Sequence, residues 1–397
     1  MKEGWELATV AQVAKISSGN SAPQDKVLFE GGIYPFIRTS DVGKIKVGAI
    51  GDARDYLNED GIKRLREFPK GTILFPKSGA STFLNHRVIL ERSAYVSSHL
   101  ATIIPDETRI LSKFLLYFLV TIRAQNLIQD HKYPSLKRAD IEGISLLLPD
   151  LPKQQRIVAI LDEAFDGIAT ATANAEKNLA NAKELLVQQI EKEIANASDD
   201  WIVTTVGEIC SKFEYGTSSK SLKRGNTPVL RMGNIQKGEF DWSDLVYSDD
   251  QSDIERYQLK PRDVLFNRTN SLEHVGKSAI YRGEQHAIFA GYLIRLHYDP
   301  ERVDPEFLNL FLNSKGARQY GRTISGKSVN QANISASKLK TYPISLPPLS
   351  RQRQIADCIV RLREPIESLI VVYETKVASF TKLKQSILQK AFAGELH

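Results

Sequence analysis

Ile157-Val158-Ala159-Ile160-Leu161-Asp162-Glu163-Ala164 opens a run in which apolar or small residues return in steps of four and three: Ile157, Leu161, Ala164, Ile168, Ala171, Ala175. That spacing is the seam of a coiled-coil helix, and it predicts a long helix from about residue 153 to 195, opened by Pro149 and Pro152. A second run, Ile355, Ile359, Leu362, Ile366, Leu369, Tyr373, predicts its partner from about 351 to 393, opened by Pro347 and Pro348. Both seams then take an extra step of four, to Leu179 and Val377, a shared stutter. Gly167 and Pro365 fall at the same place in each run. A helix breaker there predicts a short leading helix, a kink and a longer trailing helix. The first seam is alanine-rich, with Ala164, Ala171, Ala175 and Ala182; the second carries Leu369, Tyr373, Phe380 and Leu383. A large face interdigitates with a small one, so the two helices are expected to pair as an antiparallel coiled coil. The competing expectation is two surface helices, each folded back on its own module.

What precedes each helix is also repeated. Trp5-Glu6-Leu7-Ala8-Thr9-Val10 matches Trp201-Ile202-Val203-Thr204-Thr205-Val206 at an offset of 196. Pro35-Phe36-Ile37-Arg38 matches Pro228-Val229-Leu230-Arg231 at 193, and residues 71–75 match 262–266 at 191. Residues 146–149 match 344–347, and Gln154 matches Gln352, at 198. The order is kept throughout and the drift is what surface-loop insertions produce. The chain is a tandem duplication. Short strand-like runs at 33–37, 72–75, 88–90 and 100–104, with a buried helix at 111–128 and its counterpart at 305–313, make each module mixed α/β. The fold expected is α+β, two similar globular modules (1–150 and 198–348) separated by two long helices (151–197 and 349–397).

Composition narrows the class. The 397 residues are 42% hydrophobic and 25% charged, ordinary values for a folded domain. Apolar runs such as 115–120 and 144–148 are too short to cross a bilayer, and Met1-Lys2-Glu3-Gly4-Trp5 does not open a signal peptide. Two cysteines, Cys210 and Cys358, exclude a disulfide framework. A cytoplasmic protein with no membrane partner is expected. The net charge of +6 is compatible with a polyanionic partner without requiring one.

A helix of about 27 residues spans roughly 40 Å. Two heads held that far apart would sit about one turn of B-DNA from each other. Unlike heads on one face of an antiparallel rod would read a split, asymmetric sequence across an unread gap.

Leu151-Pro152-Lys153-Gln154-Gln155-Arg156-Ile157-Val158-Ala159-Ile160-Leu161-Asp162 resembles the central conserved region of type I restriction–modification specificity subunits. Ala391-Phe392-Ala393-Gly394-Glu395-Leu396 resembles their distal conserved ending. Pro365 departs from the pattern, interrupting the second helix where the first has glycine. The resemblance implies a non-catalytic DNA specificity subunit with two target-recognition domains. It implies that the helices dock two adenine methyltransferase (M) subunits, and that restriction/motor (R) subunits join that complex. The partners would carry S-adenosylmethionine, ATP and magnesium, and this chain would bind no cofactor. A two-headed adapter whose heads bind proteins instead of DNA is the alternative.

Base edges and phosphates are contacted by Arg, Lys, Asn, Gln, Ser, Thr and Tyr. In the second half such residues cluster in a polar loop at 326–333 (Lys327, Ser328, Asn330, Gln331) and at Arg268, Thr269 and Asn270. The matching stretches of the first half hold Lys132, Tyr133, Lys137 and Arg138, and Lys77 and Ser78. Arg38 and Arg231 end aligned strands, and His99 aligns with Tyr292. Because both repeats keep them, Arg38 and Arg231 are also candidates for a structural role. Gly321-Arg322-Thr323-Ile324-Ser325-Gly326-Lys327-Ser328 fits the phosphate-loop spelling, but that motif works only between a strand and a following helix. A helical segment precedes it here, so nucleotide binding is not expected. Seven scattered histidines and no Cys-x-x-Cys give no metal site. Neither a methyltransferase Asn-Pro-Pro-Phe motif nor a nuclease carboxylate set occurs.

Overall fold

A computed structural model describes residues 4–128, 132, 134–195, 198–328 and 331–396. The chain divides into two compact units, residues 1–175 with 375–397, and residues 176–374. The mixed α/β reading and the duplication both hold: each unit repeats the same strand plan.

In the first unit, strands Ala14–Ser18, Leu100–Pro105, Ile73–Pro76 and Arg87–Leu90 lie side by side antiparallel, and Val47–Ile50 adds a parallel edge. A smaller sheet places Tyr34–Ile37 between Asp55–Leu57, antiparallel, and Tyr95–Val96, parallel. The second unit repeats both. Cys210–Tyr215, Leu293–Tyr298, Val264–Asn267 and Ser278–Ile280 form the larger sheet. Thr227–Leu230 lies between Val246–Ser248 and Ile288–Phe289 in the smaller one. Where the first unit has its parallel edge, the second has a two-stranded ribbon, Ile235–Gln236 with Glu239–Phe240.

The repeated Trp5 and Trp201 segments each begin a two-stranded ribbon. Trp5–Thr9 pairs with Ser145–Pro149, and Ile202–Thr205 with Pro343–Leu346. Each ribbon therefore ties the start of its module to the strand that feeds the long helix.

Those helices run Leu151–Ala195 and Leu349–Phe392, beginning two residues earlier than the proline positions suggested. Each is continuous. The predicted division at Gly167 and Pro365 is corrected: both residues lie inside their helix. Gly167 is exposed, and a mid-helix glycine costs only about 1 kcal/mol. Pro365, also exposed, removes one helical hydrogen bond, a loss of about 3 kcal/mol that packing along 44 residues absorbs.

Both units contain parts of both helices. In the first, Ile157, Leu161 and Phe165 share a core with Leu388 and Ala391, so the start of one helix meets the end of the other. In the second, Leu186 and Ile190 pack on the core that includes Ile355 and Ile359. Lys183 bonds Glu374 at 2.9 Å, and Arg351 bonds Glu193 at 2.8 Å. The pairing is antiparallel in each unit.

In the second seam Ile355, Ile359 and Ile366 are buried as expected, and only the alternate positions are corrected, by one residue. Leu362, Leu369 and Leu383 are exposed, whereas Arg363, Ile370 and Lys384 are half-buried. Long cations bury their stems while keeping the charge satisfied. Arg363 reaches Glu239, and the Lys384 ammonium sits 4.5 Å from the Phe165 ring centre.

The buried helix of the first module also differs, running only Ser112–Thr121. Asn85 Oδ1 takes the Ala124 amide at 2.8 Å and turns the chain into a separate 3-10 turn, Ala124–Asn126. Its counterpart Pro305–Asn313 agrees with expectation.

Candidate nucleic-acid interface

The aligned clusters Lys77-Ser78 and Arg268-Thr269 occupy one structural position in the two units. Both follow the third strand of the larger sheet, Ile73–Pro76 or Val264–Asn267. The Lys77 amide donates to the His99 carbonyl at 3.0 Å, and the Leu136 amide donates to the Lys77 carbonyl at 2.8 Å. In the second unit the Arg268 amide donates to the Tyr292 carbonyl at 3.0 Å, and the Ile334 amide to the Arg268 carbonyl at 2.8 Å. Two backbone bonds thus fix each cation between the same two neighbouring segments. The structure brings together Lys77, Ser78 and His99, and likewise Arg268, Thr269 and Tyr292.

Around Arg268 the second unit forms an open cleft of about 600 Å³. One wall is the polar run Thr217-Ser218-Ser219-Lys220-Ser221, which sequence reading passed over although its composition was the available signal. That wall depends on Gly216, where a Cβ would collide with the Phe289 carbonyl. The close approach lets Thr217 donate its amide to Phe289 at 2.9 Å and accept the Gly291 amide at 2.7 Å. Gly19 does the same work in the first unit, against the carbonyls of Val96 and Ser97.

Within the cleft the two arginines are held differently. Arg231 Nη2 lies 3.3 Å from the carboxylate of Asp244, and its amide donates to Asn234 Oδ1 at 2.9 Å. Arg268 has only two long contacts, 3.4 Å each, to the Gly291 carbonyl and Asn333 Oδ1. Its guanidinium lies 4.8 Å from the centre of the Tyr215 ring. Tyr215 is held in turn by the Ala336 amide, which donates to its hydroxyl at 3.0 Å. Asn333 Nδ2 donates to Thr269 Oγ1 at 2.8 Å, aligning that side chain.

In the first unit, Ser78 Oγ and His99 Nδ1 are 2.8 Å apart, and His99 is exposed, as Tyr292 is. Arg38 lies 2.5 Å from Asp55 and its guanidinium packs 5.0 Å from the Phe36 ring. Arg38 and Arg231 are therefore both ion-paired to an aspartate, as a structural role would require.

Of the remaining candidates, Asn270, Lys327, Ser328 and Gln331 join Thr269 in one three-stranded sheet. Arg138 pairs with Glu142 at 2.5 Å, and both border a depression along Ala14–Ile16. Lys137 begins that short helix, its amide donating to Asp140 at 2.7 Å. Lys132, Gln331 and Asn270 lie at the surface or partly so. Lys327 and Ser328 belong to a strand, Gly326–Ser328, paired with Gln331–Asn333, so the segment expected to be a loop is a hairpin. Tyr133 and Asn330 lie outside the described residues.

The phosphate-loop spelling has inverted context. Its first four residues end the helix Lys315–Ile324, and its last three form the strand Gly326–Ser328. A helix C-terminus presents carbonyls, which repel phosphate. Among the described residues no group of three or more His, Cys, Asp or Glu is placed to hold a metal ion. No described helix is long and apolar enough to cross a membrane.

Comparison with known proteins assigns the class. The sequence matches the type I restriction modification DNA specificity domain twice, over residues 2–180 and 198–369, and the chain belongs to that family. Similar proteins are type I restriction enzyme specificity subunits. The EcoKI specificity subunit of Escherichia coli K12 is 23% identical over 431 residues, covering 100% of this chain and 90% of that one. The putative MjaX specificity subunit of Methanocaldococcus jannaschii is 30% identical over 204 residues, 50% of this chain, and the match spans about half (47%) of that relative. The HsdS subunit of Thermoanaerobacter tengcongensis shares the fold with a TM-score of 0.61 at 17% identity, covering 100% of this chain and 98% of that one. A chain from a structure of complex assembly and conformational transition in the type I R-M system reaches 0.79 at 17% identity, covering 100% and 99%.

Proposed function

We propose that this chain is the DNA-reading subunit of a type I restriction–modification complex, each unit recognising one half of a bipartite, asymmetric target. Modules 1–150 and 198–348 act as the target-recognition domains, and 151–197 and 349–397 as the helical spacer. The observation that carries the reading is the duplicated placement of Lys77 and Arg268 by the same two backbone hydrogen bonds, inside a chain of this family. One scaffold presents two different cations, with His99 beside one and Tyr292 beside the other, as two readers of unlike sequences require.

The chain supplies specificity and no chemistry of its own. Two methyltransferase subunits and the restriction/motor subunits would bring S-adenosylmethionine, ATP and magnesium. The second long helix leaves Val360, Leu362, Leu369, Val371 and Val372 exposed in the second unit, apolar surface suited to a partner helix. A cytoplasmic location follows from those partners and from a DNA substrate.

Salt titration of duplex binding tests the reading. Neutralising six or more phosphates costs about 10³-fold in affinity between 50 and 200 mM salt. The complex should lose duplex steeply over that range; affinity independent of salt would favour heads that bind protein.

A further inference from the structure

We infer that Arg268 reads a guanine, through N7 and O6, in the half-site taken by the second unit. The inference rests on the DNA reading above and adds the base.

Arg268 differs from Arg231, the other arginine of the cleft, and from the ion-paired arginines of its unit. Arg231, Arg262, Arg282, Arg295, Arg351 and Arg363 each have a carboxylate within ion-pair distance. Among the described residues Arg268 has none, yet it is half-buried and its Nε is fully enclosed without an acceptor. A buried guanidinium without a counter-ion is costly unless a ligand completes it. Its guanidinium is oriented by the Tyr215 ring on one face, and its backbone is anchored by bonds to Tyr292 and Ile334. Both terminal nitrogens have only 3.4 Å contacts, weak bonds that a better acceptor displaces.

A planar fork held in this way suits a planar pair of acceptors. Guanine offers N7 and O6 in the major groove, and arginine meets both at once. Phosphate also accepts, but the cleft has other groups for it: Ser218, Ser219 and Lys220 are exposed on its wall, and Arg268 is more enclosed than they are. Adenine presents an amino donor beside N7, which a guanidinium cannot accept.

The test uses the chain assembled with its methyltransferase subunits and a duplex carrying the motif that this complex methylates. Each guanine is replaced in turn by 7-deazaguanine, which lacks only the N7 acceptor. The wild-type complex should lose about 10-fold in affinity at one guanine of one half-site, and Arg268→Ala should abolish that difference. If no single replacement weakens wild-type binding, the proposal is overturned whether or not the variant folds. It is also overturned if the sensitive guanine stays equally sensitive in Arg268→Ala. Uniform weakening of every duplex with a smaller salt slope would make Arg268 a phosphate anchor and overturn it too. Loss of all preference between motif and unrelated duplex in the wild-type complex would instead contradict the DNA reading itself.

Discussion

Gln154 and Gln352, 198 positions apart and each fully buried, make the same three hydrogen bonds. Gln154 Oε1 accepts the Leu111 amide at 2.8 Å, and its Nε2 donates to the carbonyls of Arg109 and Pro149 at 2.9 and 2.8 Å. Gln352 Oε1 accepts the Asp304 amide, and its Nε2 donates to Arg302 and Pro347, all at 2.8 Å. In each unit this side chain fastens the first turn of the long helix to the loop that opens the buried helix. The start of each helix is thereby fixed to its own module.

Gln154→Leu keeps the volume and removes the partner of one buried and two partly buried backbone groups. Each orphaned group costs about 1–3 kcal/mol, so a loss of about 3 kcal/mol is expected. Hydrogen exchange at the Leu111 amide reads it directly and should accelerate by at least ~30-fold. An unchanged rate would remove the glutamine from its locking role.

Phe392 stacks edge-on against Phe114 and Phe118, with ring centres 5.1 and 5.5 Å away. The distal end of the chain therefore completes the core of the first unit. Phe392→Ala should destabilise that unit by about 3 kcal/mol, and Phe392→Leu by much less. Calorimetry should show the unfolding transition of the first unit moving down while that of the second stays. Equal shifts of both transitions would contradict this assignment.

The second unit carries an acid-sensitive cluster. Burial alone would raise the Glu214 carboxyl, but hydrogen bonds from Lys212, Arg295 and His297 outweigh it and hold the group at about 2. Its folded pKa lies below the unfolded value, so its contribution is complete above about pH 4.5 and is lost as pH falls toward 2. Glu214→Gln should make urea stability less dependent on pH between about 5 and 3. An identical slope in both proteins would show that Glu214 does not carry this dependence.

Lys77→Ala should weaken binding of the assembled complex to its own target by about 10-fold. The side chain of Lys77 has no partner among the described residues, so truncation leaves the fold of the first unit unaltered. Unchanged affinity at moderate salt would exclude Lys77 from the interface.

The duplication and the long helices were legible because both rest on periodicity: a repeated offset, and steps of three and four. The pairing Lys77 with Arg268 and His99 with Tyr292 followed from the same alignment and matches the equivalent backbone bonds. Where charge and apolar character share a side chain, the pattern misled. Leu362 outranked Arg363 by hydrophobicity, yet Arg363 faces inward to meet Glu239, and between the adjacent aliphatics Leu369 and Ile370 hydrophobicity does not choose. Gly167 and Pro365 looked like breaks because local propensity ignores the packing that overrides it. The cleft wall at 217–221 offered only its polar composition, because a glycine-dependent approach between segments far apart in sequence leaves no periodic trace.

Two unlike heads that each read their own half-site leave a bipartite methylation pattern in the genome. Mapping N6-methyladenine in a host that expresses this chain with its methyltransferase subunits, and in one lacking only this chain, reads that pattern. A motif of two short specific blocks flanking an unspecified gap, present only with the chain, is expected. An uninterrupted motif, or methylation that persists without the chain, would rule out two separate readers.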